Sequence, residues 1–329
     1  MNPLLTVDNL RVAFTTDHGV ANAVDGVSFA ISPGETLCIV GESGSGKSVT
    51  ALSLMGLVPS PPGHVTGQVW FEGRNVRELD AHALSDLRGD RIAMIFQEPM
   101  TALNPSFTIG NQLSEVLVRH RGAARRSARA TAIEMLRRVR IPAPEQRFDD
   151  YAHQLSGGMR QRAMIAMALL CQPALLIADE PTTALDVTIQ AQVLELMRGL
   201  RAETGSAILL ITHDLGVVAE MADRVLVMYA GQIVEEASVA TLFSMPQHPY
   251  TVGLLGAIPA LGARKPRLTA IDGLVPSPAA ISAMGAGCRF APRCPFADAR
   301  CRRESPPLAL VRPDQWSRCW KAPLEQLAA

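Results

Sequence analysis

The segment Gly41-Glu42-Ser43-Gly44-Ser45-Gly46-Lys47-Ser48 follows an apolar run at 36–40 and precedes a helical pattern at 48–56. A strand, a glycine-rich loop and a helix in this order are typical of a loop that binds phosphate groups. The glycines let several backbone N–H groups face one anion, and the N-terminal end of the helix adds a partial positive charge. We therefore expect the loop to bind nucleotide phosphates through Gly41, Ser43, Gly44 and Gly46.

Lys47 and Ser48 are expected to supply the two side chains that such a site needs. The ammonium group of Lys47 would bind the β- and γ-phosphates, and the hydroxyl of Ser48 would bind Mg²⁺. The chain has only three lysines, at 47, 265 and 321, so a lysine in this loop does not follow from composition. The alternative is a glycine-rich turn without a ligand, against which the complete eight-residue pattern argues.

Two carboxylates, Asp179 and Glu180, end the apolar run at 175–178. Open α/β sheets bind ligands at the carboxyl ends of their strands. Asp179 is therefore expected to hold Mg²⁺, directly or through water, and Glu180 to polarise the water that attacks the γ-phosphate. Alone, this pattern also describes an ordinary strand that ends in a solvated turn.

A third motif, Leu155-Ser156-Gly157-Gly158-Met159-Arg160-Gln161-Arg162, precedes a helical run that extends to Leu170. Ser156 and the two glycines form a second potential anion site at a helix N-terminus, although one ATP needs only one such loop. These residues closely resemble the signature of ATP-binding cassette (ABC) proteins. The resemblance implies that two cassettes pack head to tail, so that the signature of one covers the nucleotide on the phosphate loop of the other.

The resemblance extends over roughly residues 4 to 257, with further motifs in the family's order. Gln97 matches the Q-loop glutamine, which senses Mg²⁺ and the attacking water. Asp186, in Ala184-Leu185-Asp186, matches the D-loop aspartate that contacts the opposite cassette, and His213 matches the switch histidine at the γ-phosphate. Phe14 occupies the place of the aromatic residue that stacks on adenine, where the family more often has tyrosine; a core position for Phe14 is an alternative.

Within that family the chain resembles ATPase subunits of bacterial dipeptide, oligopeptide and nickel importers. The segments that carry this resemblance are Glu98–Pro105, Asp186–Gln190, Pro246–Thr251 and the cysteine-bearing tail. The resemblance implies a second ABC ATPase subunit, usually a related but different chain, two integral membrane permease subunits and an extracytoplasmic solute-binding protein. It leaves open whether the solute is a dipeptide, an oligopeptide, glutathione or a nickel chelate, because recognition of the solute lies on other chains.

The alternation of short apolar runs and helical patterns predicts an α/β fold. We expect strands at Leu4–Phe14, Ala23–Ile31, Glu35–Val40, Gly67–Phe71, Arg91–Phe96, Ala174–Ala178, Ala207–Ile211, Arg224–Tyr229 and Gln232–Glu235. Between Pro99 and Leu155 the pattern is helical, notably at Ile109–Arg119 and Ala123–Arg140, and it ends at Pro142 and Pro144. With the resemblance, this predicts a P-loop ABC-type core at 1–97 and 156–238 with an antiparallel β subdomain, an inserted helical subdomain at 98–155, and a C-terminal extension at 239–329.

Composition excludes several classes of protein. The 31 basic and 31 acidic residues give zero net charge, which argues against a nucleic-acid-coating protein. The longest apolar run, Ala163–Cys171, is about half of the ~20 residues that span a bilayer. The N-terminus lacks the pattern of a secretory signal, so we expect a cytoplasmic protein. The resemblance to importer ATPases implies a peripheral position on the cytoplasmic face of the inner membrane. A soluble ABC-type ATPase that is not coupled to transport is the alternative function.

Four of the six cysteines, Cys288, Cys294, Cys301 and Cys319, lie in the proline-rich tail. Their spacing does not match the paired two-residue spacing of common zinc ribbons, and a cytoplasmic location disfavours disulfides. The segment 286–321 holds eight basic and three acidic residues, which would offset the charge of bound thiolates. An iron–sulfur cubane accepts four cysteines at varied spacings, and the resemblance also points to a [4Fe–4S] cluster here. Structural zinc and unligated cysteines are the alternatives.

Overall fold

The computed structural model describes residues 2–17, 19–98, 102–183, 185–257, 271–277, 280–281 and 284–327. They divide into two compact units. The first comprises Met1–Leu4, Ile31–Glu35 and Glu78–Ile211, and the second comprises Leu5–Ala30, Thr36–Arg77 and Thr212–Ala329. Residues 99–101 of the expected importer motif and Ala184 of the expected D-loop lie outside the described residues.

The strands are β1 (Leu5–Thr16), β2 (Gly19–Ile31), β3 (Thr36–Val40), β4 (Gly63–Phe71), β5 (Arg74–Asn75), β6 (Ile92–Ile95), β7 (Leu175–Asp179), β8 (Ala207–Ile211), β9 (Arg224–Tyr229), β10 (Gln232–Ser238), β11 (Ala309–Arg312) and β12 (Gln315–Ser317). The helices are α1 (Lys47–Leu54), α2 (Ala81–Leu87), α3 (Ile109–Arg121), α4 (Arg125–Arg138), α5 (Pro144–Arg147), α6 (Gly157–Leu169), α7 (Val187–Thr204), α8 (Leu215–Met221), α9 (Val239–Ser244), α10 (Pro249–Gly256) and α11 (Ala299–Arg303).

The first unit contains the parallel strands β6, β7 and β8, which pair in that order. Every residue of these three strands is buried. Continuous apolar runs of this kind are typical of parallel strands that are covered on both faces. The register pairs Asp179, the last residue of β7, with Ile211 at the end of β8, so the acidic residues leave the sheet at its carboxyl edge.

Helices supply the rest of the first unit. The side chain of Thr108 accepts the N–H of Asn111 and begins α3, which ends at Gly122 in the left-handed conformation (φ 61°). Both predicted helical patterns between 99 and 155 are confirmed by α3 and α4. Pro144, however, begins the short helix α5 and does not end one, because the first turn of a helix tolerates a missing N–H. The subdomain boundaries stay a prediction.

In the part of the chain that the structure describes, no helix combines the length and apolar character that crossing a membrane requires.

The second unit contains an antiparallel sheet in the order β2-β1-β4-β5 and a run of strands in the order β11-β12-β10-β9-β3. Strand β3 pairs with β9 in parallel, whereas β10 pairs with β9 and β12 in antiparallel fashion. All nine predicted strands are present. The hairpin of β11 and β12 was not predicted, because its strands are short and lie in a proline-rich tail without a continuous apolar run.

A buried carboxylate joins the tail to β10. Glu235 is fully buried and accepts hydrogen bonds from the backbone N–H of Gln247 (2.6 Å), the backbone N–H of His248 (2.9 Å) and the side-chain amide of Gln315 (3.0 Å). Burial raises the pKa of Glu235, while these donors oppose that rise. One side chain on β10 therefore holds both the start of α10 and strand β12.

His248, just before α10, is also buried. Its Nδ1 accepts the N–H of Tyr250 (3.1 Å), and its ring lies 5.6 Å from the ring of Phe290 between centroids. Burial lowers the pKa of His248 to about 3. The imidazole is therefore neutral in the folded chain, whereas it binds a proton near pH 6.5 after unfolding.

We expect the stability of the chain to fall as the pH drops below 6.5, because only the unfolded state then protonates His248. The loss is about 2 kcal/mol between pH 7.5 and 5 for a pKa that falls from 6.5 to about 3. His248→Asn keeps an oxygen acceptor for the N–H of Tyr250 but does not titrate. Urea unfolding of both proteins across this range checks the prediction: equal pH dependence of the two would contradict it.

Candidate nucleotide-binding site

The loop at 41–48 has a backbone that only glycine permits at two positions. Gly41 has φ 153°, and a Cβ placed there would lie 2.2 Å from the carbonyl oxygen of Met228 on β9. Gly46 has φ 101°, and a Cβ there would lie 2.5 Å from the carbonyl oxygen of Ala23. Neither backbone oxygen can move without disturbing its strand, so the curled loop depends on these glycines.

Lys47 and the start of α1 present positive charge at this loop. The side chain of Lys47 is largely buried, and its Nζ donates hydrogen bonds to the carbonyls of Gly41 (2.7 Å) and Glu42 (3.0 Å). Gly46 precedes α1 and has no side chain that could cap the helix. Ser45 Oγ is buried without a hydrogen-bonding partner among the described residues. A helix N-terminus without a side-chain cap, next to a lysine, suits phosphate oxygens.

The acidic end of β7 has its own set of contacts within the first unit. Asp179 is buried, and Glu180 has a left-handed backbone (φ 48°) whose N–H donates to the carbonyl of Ile211 (2.9 Å). Glu180 Oε2 accepts hydrogen bonds from Gln97 Nε2 (3.1 Å) and Thr183 Oγ1 (2.9 Å). A strained non-glycine residue held by several contacts is common at functional sites.

The structure thus brings Gln97 and Glu180 together, as well as Thr183, which sequence reasoning missed. The sequence did hold a signal for Thr183: it is a hydroxyl residue three positions after Glu180, in the turn that follows the strand.

The residues predicted to form the signature and the D-loop lie at the surface of the first unit. Ser156 caps α6 by accepting the N–H of Met159 (3.3 Å), and Asp186 caps α7 by accepting the N–H of Ile189 (3.0 Å). Ser156, Gly157 and Asp186 are exposed, and Gly158 is partly so. Val187 follows Asp186 and is 83% exposed, which is unusual for a large apolar side chain.

His213 and Phe14 belong to the second unit. A cavity of about 320 Å³ is lined by His213, by Gly41 and Glu42 of the loop, and by Leu254 of α10. The structure therefore places the predicted switch histidine beside the start of the phosphate loop. Phe14 lies on β1 opposite Gly63 of β4 and is half-buried. Its role as the adenine-stacking residue stays a prediction.

The four tail cysteines lie close to one another in the second unit. The N–H of Cys288 donates to the carbonyl of Cys301 (2.8 Å), and the N–H of Lys321 donates to the sulfur of Cys319 (3.3 Å). Burial raises the pKa of Cys288 and Cys294 and raises that of Cys319 to about 11, and the charges of the neighbouring thiols contribute to each rise. The four thiols therefore share one neighbourhood and one donor chemistry.

This arrangement is not a formed metal site. Over the described residues, no three or more His, Cys, Asp or Glu side chains are grouped so as to hold a metal ion. The predicted iron–sulfur cluster and its zinc alternative are thus not supported by the geometry of the described residues, although four thiols are a ligand set that either group accepts.

A phosphate loop after a strand, with an acidic strand end and the α/β sheet, defines a phosphate-loop nucleotide-binding protein. The ABC transporter family model matches residues 24–183, and the oligopeptide/dipeptide transporter C-terminal region matches residues 234–301. The chain is 52% identical over 321 residues to the probable peptide ABC transporter ATP-binding protein y4tR of Sinorhizobium fredii, covering 97% of this chain and 95% of that protein. This chain belongs to the family of ABC transporter ATP-binding proteins and is an ATPase.

Two further similarities agree with this assignment. The oligopeptide transport ATP-binding protein AppD of Bacillus subtilis is 52% identical over 321 residues, covering 97% of each chain. The dimeric, post-hydrolysis structure of the ATP-binding cassette MJ0796 with ADP and Pi has a TM-score of 0.65 and 28% identity, covering 71% of this chain and 98% of that chain. The predicted family and ABC-type α/β fold are confirmed.

We expect Gly41→Ala to weaken ATP binding on the order of ten- to hundred-fold, because its Cβ would displace the loop from β9. Gly73→Ala is the matched control: Gly73 also has a left-handed backbone (φ 77°), but no described atom lies within 4 Å of the added Cβ. Binding of a fluorescent ATP analogue measures both. Equal affinities of the two variants would contradict this account of the loop.

Proposed function

We propose that the chain is the ATP-hydrolysing subunit of an importer for peptides or a related small solute. The observation that carries the proposal is the match of residues 234–301 to the oligopeptide/dipeptide transporter C-terminal region, beyond the part that matches ABC transporters in general. Relatives that are 52% identical over nearly the whole chain and are named as peptide transport proteins support the cargo class.

In the proposed mechanism, the phosphate loop binds ATP and Glu180 orients the attacking water. Lys47 and the loop amides bind the phosphates, and Phe14 stacks on adenine. Ser48, Gln97 and Asp179 would hold Mg²⁺, which neutralises phosphate charge when bound. The hydrogen bonds from Gln97 and Thr183 fix the carboxylate of Glu180, and His213 contacts the γ-phosphate. Each of these roles is part of the proposal.

A second cassette completes the proposed site. The chain has one phosphate loop and one predicted signature, and Ser156 of that signature is exposed. Ser156, Gly157, Gly158 and Asp186 would contact the nucleotide or cassette of the partner, and the exposed Val187 supports a contact surface there. The partner is a second ABC ATPase subunit, which we propose to be a related but different chain.

A groove in the first unit suits the proposed membrane partners. It has a volume of about 750 Å³ and is lined by Phe107, Val118, Arg125, Arg129 and Phe148, among others. Phe107 and Val118 are 52% and 42% exposed. Apolar side chains flanked by arginines favour a short amphipathic helix as occupant. We propose that two permease subunits supply such helices at the cytoplasmic face of the inner membrane, and that an extracytoplasmic binding protein delivers the solute.

We also propose that the tail cysteines hold a structural [4Fe–4S] cluster, with zinc as the second candidate. The proximity of Cys288, Cys294, Cys301 and Cys319 supports this, since four thiolates are the ligand set of such clusters. The N–H of Lys321 at the sulfur of Cys319 supplies a hydrogen-bond donor to a thiolate. The cluster would hold the tail segments in place.

Glu180→Gln tests the proposed chemistry in the assembled transporter. We expect hydrolysis at this site to fall roughly 10²–10⁴-fold, because an amide cannot polarise water, while ATP binding at Lys47 persists. Single-turnover hydrolysis and equilibrium binding measure the two effects separately. A rate close to that of the wild type would exclude Glu180 as the base.

Ser156→Arg is the matched variant for assembly. It should also abolish turnover in the complex but leave ATP binding by the isolated chain unchanged, because Ser156 serves the nucleotide of the partner. Solute uptake into vesicles that contain the permease subunits tests transport itself. An active ATPase that neither binds the permeases nor drives uptake would support a soluble ATPase instead.

Anaerobic purification tests the cluster. We expect a brown protein with broad absorption near ~400 nm and about four irons per chain. Cys294→Ser should lose iron and colour, whereas Cys171→Ala, which removes a buried thiol of the first unit, should keep both. Colourless protein with about one zinc per chain, or without metal, would reject the cluster and leave the ATPase proposal intact.

A further inference from the structure

Glu42, the second residue of the phosphate loop, is bound by an arginine from the cysteine-bearing tail. Arg293 Nη1 lies 2.6 Å from Glu42 Oε2, and Arg293 Nη2 lies 3.0 Å from Glu42 Oε1. The side chain of Arg293 is 5% exposed and that of Glu42 is 32% exposed. Two parallel hydrogen bonds between a guanidinium and a carboxylate form the strongest geometry available to such a pair.

Arg293 is itself held in place for this contact. Its Nε donates to the carbonyl of Asp272 (2.9 Å), and its Nη1 also lies 3.4 Å from the hydroxyl of Tyr229 on β9. The hydrogen bonds with Glu42 raise the pKa of Arg293, so the guanidinium stays charged. Little side-chain freedom is left to lose when the loop binds a ligand.

Glu42 is also fixed through its backbone. Its N–H donates to the hydroxyl of Tyr250 on α10 (2.8 Å), and its carbonyl accepts the Nζ of Lys47 (3.0 Å). Tyr250 is fully buried and packs on Tyr229 and Phe290, with ring centroids 4.7 and 5.5 Å apart. Displacement of Glu42 would therefore change the position of a direct partner of Lys47.

A carboxylate in a loop that binds a triphosphate repels its ligand unless its charge is neutralised. At a partly exposed site, two like charges a few ångströms apart repel strongly enough to weaken binding on the order of ten-fold. We propose that Arg293 is a positioning residue for ATP binding, which neutralises Glu42 and holds the phosphate loop in its binding conformation. The inference rests on the proposed ATP site at 41–48 and extends it to the tail.

The contact also couples the tail to the nucleotide. Arg293 ends the short 3-10 turn Ala291–Arg293 and immediately precedes Cys294, while Phe290 packs on Tyr229 with centroids 5.2 Å apart. If this segment becomes more or less ordered, the position of Arg293, the partner of Glu42, must change with it. Because coupling is reciprocal, nucleotide binding should in turn order the segment 288–303.

Affinities of the full chain for a fluorescent ATP analogue test the proposal in wild type, Arg293→Met, Glu42→Gln and the double variant. We expect Arg293→Met to weaken binding on the order of ten-fold, because it leaves an uncompensated carboxylate in the loop. Added salt should reduce this loss of affinity for the ATP analogue, because it screens the charge of Glu42. The double variant should bind more tightly than Arg293→Met, since it removes the repelling charge as well.

Arg318→Met is the matched control. Arg318 lies in the same tail and is half-buried, but its guanidinium donates to the carbonyls of Ile233 (2.9 Å) and Pro306 (3.3 Å) and not to the residues 41–48. It should loosen the tail to a similar extent but leave ATP affinity within about two-fold of wild type. An equal loss in both arginine variants would overturn the specific role of Arg293.

Two further measurements separate positioning from general stability. In the assembled transporter, Arg293→Met should raise the KM for ATP and leave kcat nearly unchanged. Hydrogen exchange of residues 288–303 should slow on addition of ADP in the wild type but not in Arg293→Met. Wild-type affinity in Arg293→Met, or a double variant no tighter than the single one, would refute the inference. Failure of the wild type to bind ATP would instead refute the proposed function.

Discussion

The site depends on the close approach between the phosphate loop and the strand beside it. A Cβ at position 41 would lie 2.2 Å from the carbonyl oxygen of Met228. Only glycine at this position therefore lets the chain turn away from β3. The turn lets Lys47 reach back to the carbonyls of Gly41 and Glu42 and begins α1 without a side-chain cap. The positive charge of Lys47 and of the N-terminus of α1 lies at this loop because of the way the chain leaves β3 beside β9.

Polar groups buried in the second unit explain how a proline-rich tail with little apolar core of its own becomes ordered. Glu235 binds the start of α10 and strand β12, while Arg289 and Arg293 bind Asp25 and Glu42. Glu235 accepts several hydrogen bonds, and each of the two arginines has an opposite charge, as burial requires. The same contacts that order the tail therefore also reach the phosphate loop, which makes the tail part of the nucleotide site's surroundings.

Exposed residues form the surfaces at which we propose that partner chains bind. Ser156 and Asp186 cap their helices at the surface, and the apolar Val187, which follows Asp186, is exposed. The groove with Phe107 and Val118 is a second apolar surface. Both surfaces agree with the proposed partners, since a subunit presents apolar area to the chains that it binds.

The sequence by itself determined the elements whose signals are local. Continuous patterns of a few residues predicted the phosphate loop, the acidic end of β7, nine of the twelve described strands and the helices α3 and α4. Tertiary structure alone decided the contacts of Glu42, because its partners Tyr250 and Arg293 lie 208 and 251 residues away. It also decided the left-handed backbone of Glu180 and the short hairpin of β11 and β12, since packing stabilises them where local propensity does not.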